Sequence, residues 1–417
     1  MDSQEVQQSP GAKPGFFYGY IVVVATLGIM VVSWGAFFAF GVFFKPMSTE
    51  FGWTRAMTSG AYSLSMLMRG FLGIVMGGLT DRFGPRMVLT LCGFLIGLGY
   101  LLMSQLSAIW QLYLFYGVII GIGMGGVWVP LLSTIARWFT KRRGIMSGVV
   151  LAGSSAGGLI APLVANQLIS TYDWRISYII LGILVLVVVV LAAQFLRRDP
   201  ARMGQVPYGE SNEGEHGLKL GIEGFSLKEA VGTRQFWMVF VMTLCYGFLM
   251  FTVVVHIVPH ATDLGISAAS AATILATTGG LAIVGRVVIG SIADRIGNKQ
   301  ALIIGSILTA AALFWLVPAT EVWRLYLFAA VFGFGQGGMG VIQSPLIAGL
   351  FGLGSHGLIL GAISFGFNIG GAVGPFLAGY LFDVTGTYQV AFLIGAVVSI
   401  VGLILTVLLK PISGKQG

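Results

Sequence analysis

Between Gly19 and Leu409 the chain is a near-continuous succession of apolar stretches with very few charges. Each is long enough, at about 20 residues, to cross a bilayer as a helix. A membrane β-barrel would need roughly ten-residue segments of alternating polarity instead. Charged residues make up 9% of the 417 positions. Soluble domains carry about 25%, so a soluble protein of this size is excluded. Disorder is excluded too, because disordered chains are polar and poor in aromatics, and 12% of this chain is aromatic. The pattern predicts an all-α polytopic membrane protein with 12 transmembrane helices. Their centres fall near Val31, Met68, Leu95, Gly121, Gly157, Leu186, Gly247, Gly279, Thr309, Phe334, Gly370 and Val397.

The one long polar gap, residues 197–234, reads as a linker between two six-helix bundles at 17–196 and 235–409, with tails at 1–16 and 410–417. Residues 1–16 lack the basic segment and cleavage site of a signal peptide, so the first apolar run is expected to be a spanning helix. Of the 23 Lys and Arg, 17 fall in the tails, the linker and the loops after helices 2, 4 and 8. Lys45, Arg55, Arg175 and Arg324 sit on the opposite side. Cytoplasmic loops carry the excess of Lys and Arg, so both termini and the linker are expected on the cytoplasmic face of the inner (plasma) membrane.

The two halves repeat. The run Gly77-Gly-Leu-Thr-Asp81-Arg82-Phe-Gly84-Pro-Arg86 returns as Gly290-Ser-Ile-Ala-Asp294-Arg295-Ile-Gly297-Asn-Lys299, a shift of 213 positions. The same shift carries Gly52 onto Gly265, and Gly157, Gly158 and Pro162 onto Gly370, Gly371 and Pro375. Six helices per half give both copies one orientation, a parallel repeat about an axis along the membrane normal. The small residues of the repeated run allow close helix approach. Asp81 and Asp294 can accept hydrogen bonds from a helix N-terminus or an Arg, and such contacts can break and reform as the halves rock.

Charges inside a membrane are costly and mark functional sites. No Asp or Glu lies near the centre of any stretch; Arg69 and Arg286 do. A guanidinium in a low-dielectric site binds a carboxylate through two parallel hydrogen bonds and stays charged. Arg286 is therefore the candidate anion site. Arg69, which the shift places at Ala282, is a second cation candidate one helical turn away on the same face. His256 titrates near neutral pH when unperturbed, so it is one candidate for carrying a proton; the anion–Arg286 pair is the other. Trp34, Phe38, Trp128, Phe365 and Phe367 stand near mid-span as candidate cavity aromatics.

The repeated loop run, the twelve helices, the linker and the parallel duplication together resemble the major facilitator superfamily over essentially the whole chain. The segment Arg137-Trp-Phe-Thr-Lys141-Arg142-Arg143-Gly resembles the signature that precedes helix 5 in its monocarboxylate porter family, with the oxalate/formate antiporters as relatives. Tyr18-Gly19-Tyr20 resembles that family's other signature, without its acidic residue and first Trp. The resemblance implies a substrate-binding Arg in helix 8, which is Arg286. It also adds weight to Phe365, Asn368 and Leu151 as substrate contacts, Asn368 to a hydroxyl or keto group and Leu151 to a methyl. Departures are visible. Many animal members carry an Asp and a Lys where Ala282 and Phe38 stand, and antiporters carry a Lys in helix 11, which here reads Ile363-Ser-Phe365-Gly-Phe367-Asn368.

No Gly-x-x-x-x-Gly-Lys-Ser/Thr run is present, and the polar segments hold no metal-ligand set or nucleophile–His–acid arrangement. Cys92 and Cys245 lie in apolar stretches and make neither a disulfide framework nor a metal pair. The expectation is therefore a secondary transporter rather than an enzyme, without cofactor, metal or nucleic-acid partner, working as a monomer in the bilayer. Its cargo would be a small monocarboxylate such as lactate or pyruvate, moved with H+. The alternative is a carboxylate antiporter of the oxalate/formate type.

Overall fold

The computed structural model describes residues 17–139, 143–208, 225–352 and 356–410. Twelve long helices account for most of them, and there is no strand among the described residues beyond an isolated bridge between Phe139 and Tyr208. In lipid each backbone N–H and C=O must be paired inside the protein, and a helix does this within its own segment. The first half holds α1 (Gly19–Phe51, interrupted at Ala39), α2 (Arg55–Phe83), α3 (Pro85–Met103), α4, α5 (Arg143–Tyr172) and α6 (Trp174–Gln194). Helix α4 is built in pieces: Ile109–Leu112, a π-helical turn Tyr113–Ile120, Gly121–Gly125 and Trp128–Trp138. The second half holds α7 (Arg234–Asp263), α8 (Ala268–Ile296), α9 (Asn298–Leu316), α10 (Val322–Phe351), α11 (His356–Thr385) and α12 (Gln389–Leu408).

Eleven of the helices are long and apolar enough to cross a membrane among the described residues. The remaining one, α2, carries Arg55, Arg69, Asp81 and Arg82 in its 29 residues. At 1.5 Å per residue it is about 44 Å long, against a hydrocarbon core of about 30 Å. Its length spans; its charges make it the polar exception. Each expected helix centre falls within one of the twelve.

The 213-residue shift has a physical basis at its glycines. Gly52 and Gly265 end α1 and the turn after α7 with φ of +64° and +82°. Gly84 and Gly297 join α2 to α3 and α8 to α9 with φ of +84° and +94°. Only glycine adopts this region without strain. The helix starts repeat as well. Thr54 caps α2 by accepting from Met57 N, and Ser267 caps α8 by accepting from Ser270 N.

Helix contacts follow the same operator. α1 lies on α5, α2 on α4 and α3 on α6; correspondingly α7 lies on α11, α8 on α10 and α9 on α12. Gly157 is pressed against the backbone of Val31 and Gly35, as Gly370 is against Leu244 and Phe248. Of the pairs that join the halves, α2 to α11 and α5 to α8 are exchanged by the shift. At these seams Gly158 meets Phe38 and Gly279, while Gly371 meets Phe251 and Met66. A Cβ at any of these glycines would collide or force a neighbour aside, which is how small residues let helices in lipid approach.

The start of α1, the segment after α6 and the end of α4 lie together. Tyr18 N donates to Gln205, and the Phe17 ring rests on Trp138, Phe139 and Tyr208. This is called the linker end below, and the opposite one the far end.

Candidate functional site

Both intramembrane arginines reach across the seams between the halves. Arg286, half-buried on α8, donates from Nη1 to the Leu151 carbonyl on α5. Its Nη1 and Nη2 each lie 3.4 Å from Ser154 Oγ, also on α5. Arg69, on α2, donates from Nε and Nη2 to Asn368 Oδ1 on α11, at 3.0 and 2.7 Å. The pairs α8·α5 and α2·α11 are exchanged by the internal repeat, so the two cations occupy equivalent seams. They are offset by one helical turn, about 6 Å along the axis. Neither has a salt-bridge partner among the described residues.

The surroundings differ. Arg69 is 7% exposed and lies among rings, with its Cζ 4.7 Å from the centre of Trp34, 5.6 Å from Phe251 and 5.7 Å from Phe37. Trp34 in turn touches Phe38 at 5.3 Å and Trp128 at 5.5 Å between ring centres. Gly70 leaves room for Asn368 and Phe365 against α2. The sequence-derived candidates thus fall into two groups. Trp34, Phe38, Trp128, Phe365 and Asn368 gather around Arg69, while Leu151 alone accompanies Arg286. Leu151 contributes its backbone carbonyl there. Trp128 is 37% exposed, whereas Trp34 and Phe38 are buried. Phe367 packs on Tyr246 and Phe251 at 5.1 and 5.3 Å.

Residues that the sequence did not single out complete both groups. Ser154 lies one turn after Leu151 and faces Arg286. Phe37 and Phe251 flank Arg69. None has a type or spacing that distinguishes it from the rest of an apolar helix.

His256 is fully buried near the far end of α7. Its Nε2 donates to the Pro375 carbonyl at 2.8 Å, which can only accept. Nδ1 therefore accepts from the Tyr388 hydroxyl at 3.0 Å. Tyr388 accepts in turn from Arg55 Nη1 at 2.6 Å. Arg55 belongs to the first half, and its other partners lie in the second. Nη2 pairs with Asp263 at 2.7 Å, and the guanidinium sits 3.8 Å over the Phe382 ring. The backbone N–H groups of Arg55 and Ala56 both donate to Asp383 at 2.8 Å, so a carboxylate of α11 caps the start of α2. Lys45 adds a 3.3 Å pair to Asp263. The far ends of the halves are tied by this cluster.

At the linker end the last basic residue of each repeated run has a defined partner. Arg86 donates from Nε to Gln194 at 2.8 Å, joining α3 to α6. Lys299 donates to the Val407 carbonyl at 2.7 Å, joining α9 to α12. Positions 86 and 194 map onto 299 and 407 under the same shift, so these residues clamp helices within a half. Arg82 stacks 5.3 Å over Phe83, and Arg295 is exposed. Gly290 approaches Val341. The side chains at Gly77, Asp81 and Asp294 lie outside the described residues, as do Lys141, Arg142 and the Arg143 side chain. An open groove of about 750 Å³ lies here between α3 and α6 near Arg86 and Arg197 and touches neither intramembrane arginine.

Twelve helices in two repeated sets, joined by seams that hold uncompensated cations at membrane depth, define a polytopic transporter of small molecules. The family model of the Major Facilitator Superfamily matches residues 26–298 and 253–416, and the chain belongs to that superfamily. Among curated proteins it is similar to human monocarboxylate transporter 11, 28% identical over 400 residues that cover 92% of this chain and 81% of that protein. Rat monocarboxylate transporter 13 is 27% identical over 400 residues, covering 92% and 87%. The MFS-type transporter YhjX of Escherichia coli (strain K12) is 26% identical over 359 residues, covering 84% and 85%. A bacterial homolog of the human lysosomal transporter Spinster, solved in an inward-facing occupied conformation, has the same fold, with a TM-score of 0.73 at 15% identity, covering 96% of this chain and 97% of that one.

Proposed function

We propose that the chain is a secondary transporter of small monocarboxylates, lactate- or pyruvate-like, in which Arg286 binds the carboxylate and a proton accompanies it. The observation that carries this reading is the pairing of Arg286. A guanidinium at membrane depth has a backbone carbonyl and a serine hydroxyl as its hydrogen-bond partners, with no carboxylate to neutralise it among the described residues. An uncompensated charge in a low dielectric is strongly unfavourable, and a monocarboxylate supplies the missing charge and a bidentate acceptor at once. The similarity to monocarboxylate transporters supports the same substrate class.

The carboxylate would displace Leu151 O and Ser154 Oγ from Arg286. Those groups belong to the other half, so binding removes a link across one seam and lets the halves move about the bound anion. The proton is assigned to the anion–Arg286 pair. His256 is engaged at both nitrogens, and a positive charge there would face Arg55 through Tyr388. The excess of Lys and Arg at the linker end supports a cytoplasmic side for that end and both termini.

The test is uptake of labelled lactate by proteoliposomes holding purified full-length protein, with and without an inward proton gradient. Arg286→Ala should abolish uptake, and Arg286→Lys should leave a small fraction, because lysine keeps the charge and loses the fork. Full lactate uptake by Arg286→Ala would overturn the proposal.

A further inference from the structure

Arg69 occupies the midpoint of α2, with Arg55 and Phe83 at equal sequence distance on either side. It is 7% exposed. One amide oxygen, Asn368 Oδ1, serves both its Nε and its Nη2. Its Nη1 has no hydrogen-bond partner among the described residues. The same holds for the indole N–H of Trp34, 5% exposed, whose ring lies 4.7 Å from Arg69 Cζ, and for the hydroxyl of the fully buried Tyr62. Phe37 lies against both Tyr62 and the guanidinium.

Buried donors are almost always paired, and each one left unpaired costs about 1–3 kcal/mol. Two nitrogen donors around one cation call for an acceptor. The neutral Asn368 amide supplies one oxygen and no charge. Aromatic faces attract the cation but accept none of its in-plane N–H groups. The missing partner therefore has a negative charge and at least two acceptor oxygens, which is the chemistry of a carboxylate.

We propose that Arg69, Trp34 and Asn368 form a second carboxylate-binding site, so that the cargo includes dicarboxylates with one carboxylate on Arg286 and the other on Arg69. This rests on the reading of Arg286 as the first carboxylate clamp. Asn368 Oδ1 covers the Nε–Nη2 edge of the guanidinium, held there because its amide nitrogen donates to Ser364 O at 3.0 Å. A carboxylate that binds the Nη1–Nη2 edge takes Nη2 from Asn368 and releases it from Arg69. The residues belong to opposite halves, so occupancy undoes the tie across the α2·α11 seam. A monoanion at Arg286 acts on the α5·α8 seam alone; a dianion acts on both.

The experiment titrates purified full-length protein in detergent with monocarboxylates from acetate to hexanoate and dicarboxylates from oxalate to adipate, read as ligand-induced shifts of melting temperature. Wild-type protein should bind at least one dicarboxylate at least as tightly as the monocarboxylate of equal chain length. Asn368→Asp places a fixed carboxylate on Arg69 and should lower the dicarboxylate-to-monocarboxylate affinity ratio by about tenfold or more. Arg69→Gln should lower the ratio similarly, and Arg69→Lys should restore part of it. Asn368→Asp keeps the side-chain volume and pairs with Arg69, so it carries the test if Arg69→Gln fails to fold. Equal losses for both ligand classes, with the ratio unmoved, would mean a structural role and overturn the proposal. Wild-type binding of monocarboxylates without any dicarboxylate would overturn it and leave Arg286 standing. Binding of neither class would overturn both.

Discussion

Arg55 and Arg69 lie on the same helix, about four turns apart, and their surroundings are opposite. Arg55 has a carboxylate on one nitrogen, a hydroxyl on another and a ring beneath it. Arg69 has one amide oxygen, rings around it and a nitrogen with no partner among the described residues. The first is a finished structural contact, in which the second half contributes the negative charge. The second is unfinished, and the same is true of Arg286. Charge in a membrane protein therefore marks function less by being buried than by lacking a countercharge. That distinction separates the far-end cluster, which holds the halves together, from the central seams, where an anion has something to complete.

The sharpest way to break this comparison is to remove each arginine and measure ligand-free stability. Arg55→Ala leaves Asp383 capping a shortened contact and strips Asp263 of its shorter ion pair. It should cost about 2–3 kcal/mol, because one partner of a largely buried pair is left alone. It should also loosen the far ends, seen as increased separation of spin labels placed on Lys45→Cys and Thr387→Cys. His256→Phe comes next. It leaves the Pro375 carbonyl unpaired and Tyr388 without its acceptor, for a loss of about 1–3 kcal/mol by thermal denaturation. Proton-coupled uptake should persist in that variant; its disappearance would move the proton to His256. Arg69→Leu should have the opposite sign or none. It removes an uncompensated buried cation, so ligand-free protein should melt at the same temperature or higher. A loss comparable to that of Arg55→Ala would erase the distinction between the two sites. Lys45→Ala should be smallest, within about 0.5 kcal/mol, since its pair with Asp263 is exposed.

Much of this architecture is legible in the sequence because its causes are local. Apolar length sets the helices. The shift of 213 repeats because Gly52, Gly84 and their partners need positive φ, and because Thr54 and Ser267 cap equivalent helices. Arg69 and Arg286 stand out as charges where charges are costly. Their partners do not. Asn368 meets Arg69, and Asp383 meets the start of α2, only because α2 lies on α11, and nothing in either segment announces that neighbour. The Leu151 contact is hidden for a different reason: it is made by a backbone carbonyl, which carries no side-chain signature. The π-helical stretch in α4 likewise carries no sequence signal; within it Tyr116 donates to the Phe37 carbonyl at 3.3 Å. Lys45 and Arg55 read as topological charges by position, and only the fold turns them into a clasp.

The central claim is that an anion completes Arg286. The most direct test compares lactate with its neutral amide, lactamide, as ligands of the purified full-length protein, by calorimetry. Lactate should bind wild-type protein and lactamide should not, and Arg286→Gln should lose the lactate signal. Equal binding of the two ligands, or lactate binding that survives in Arg286→Gln, would contradict it.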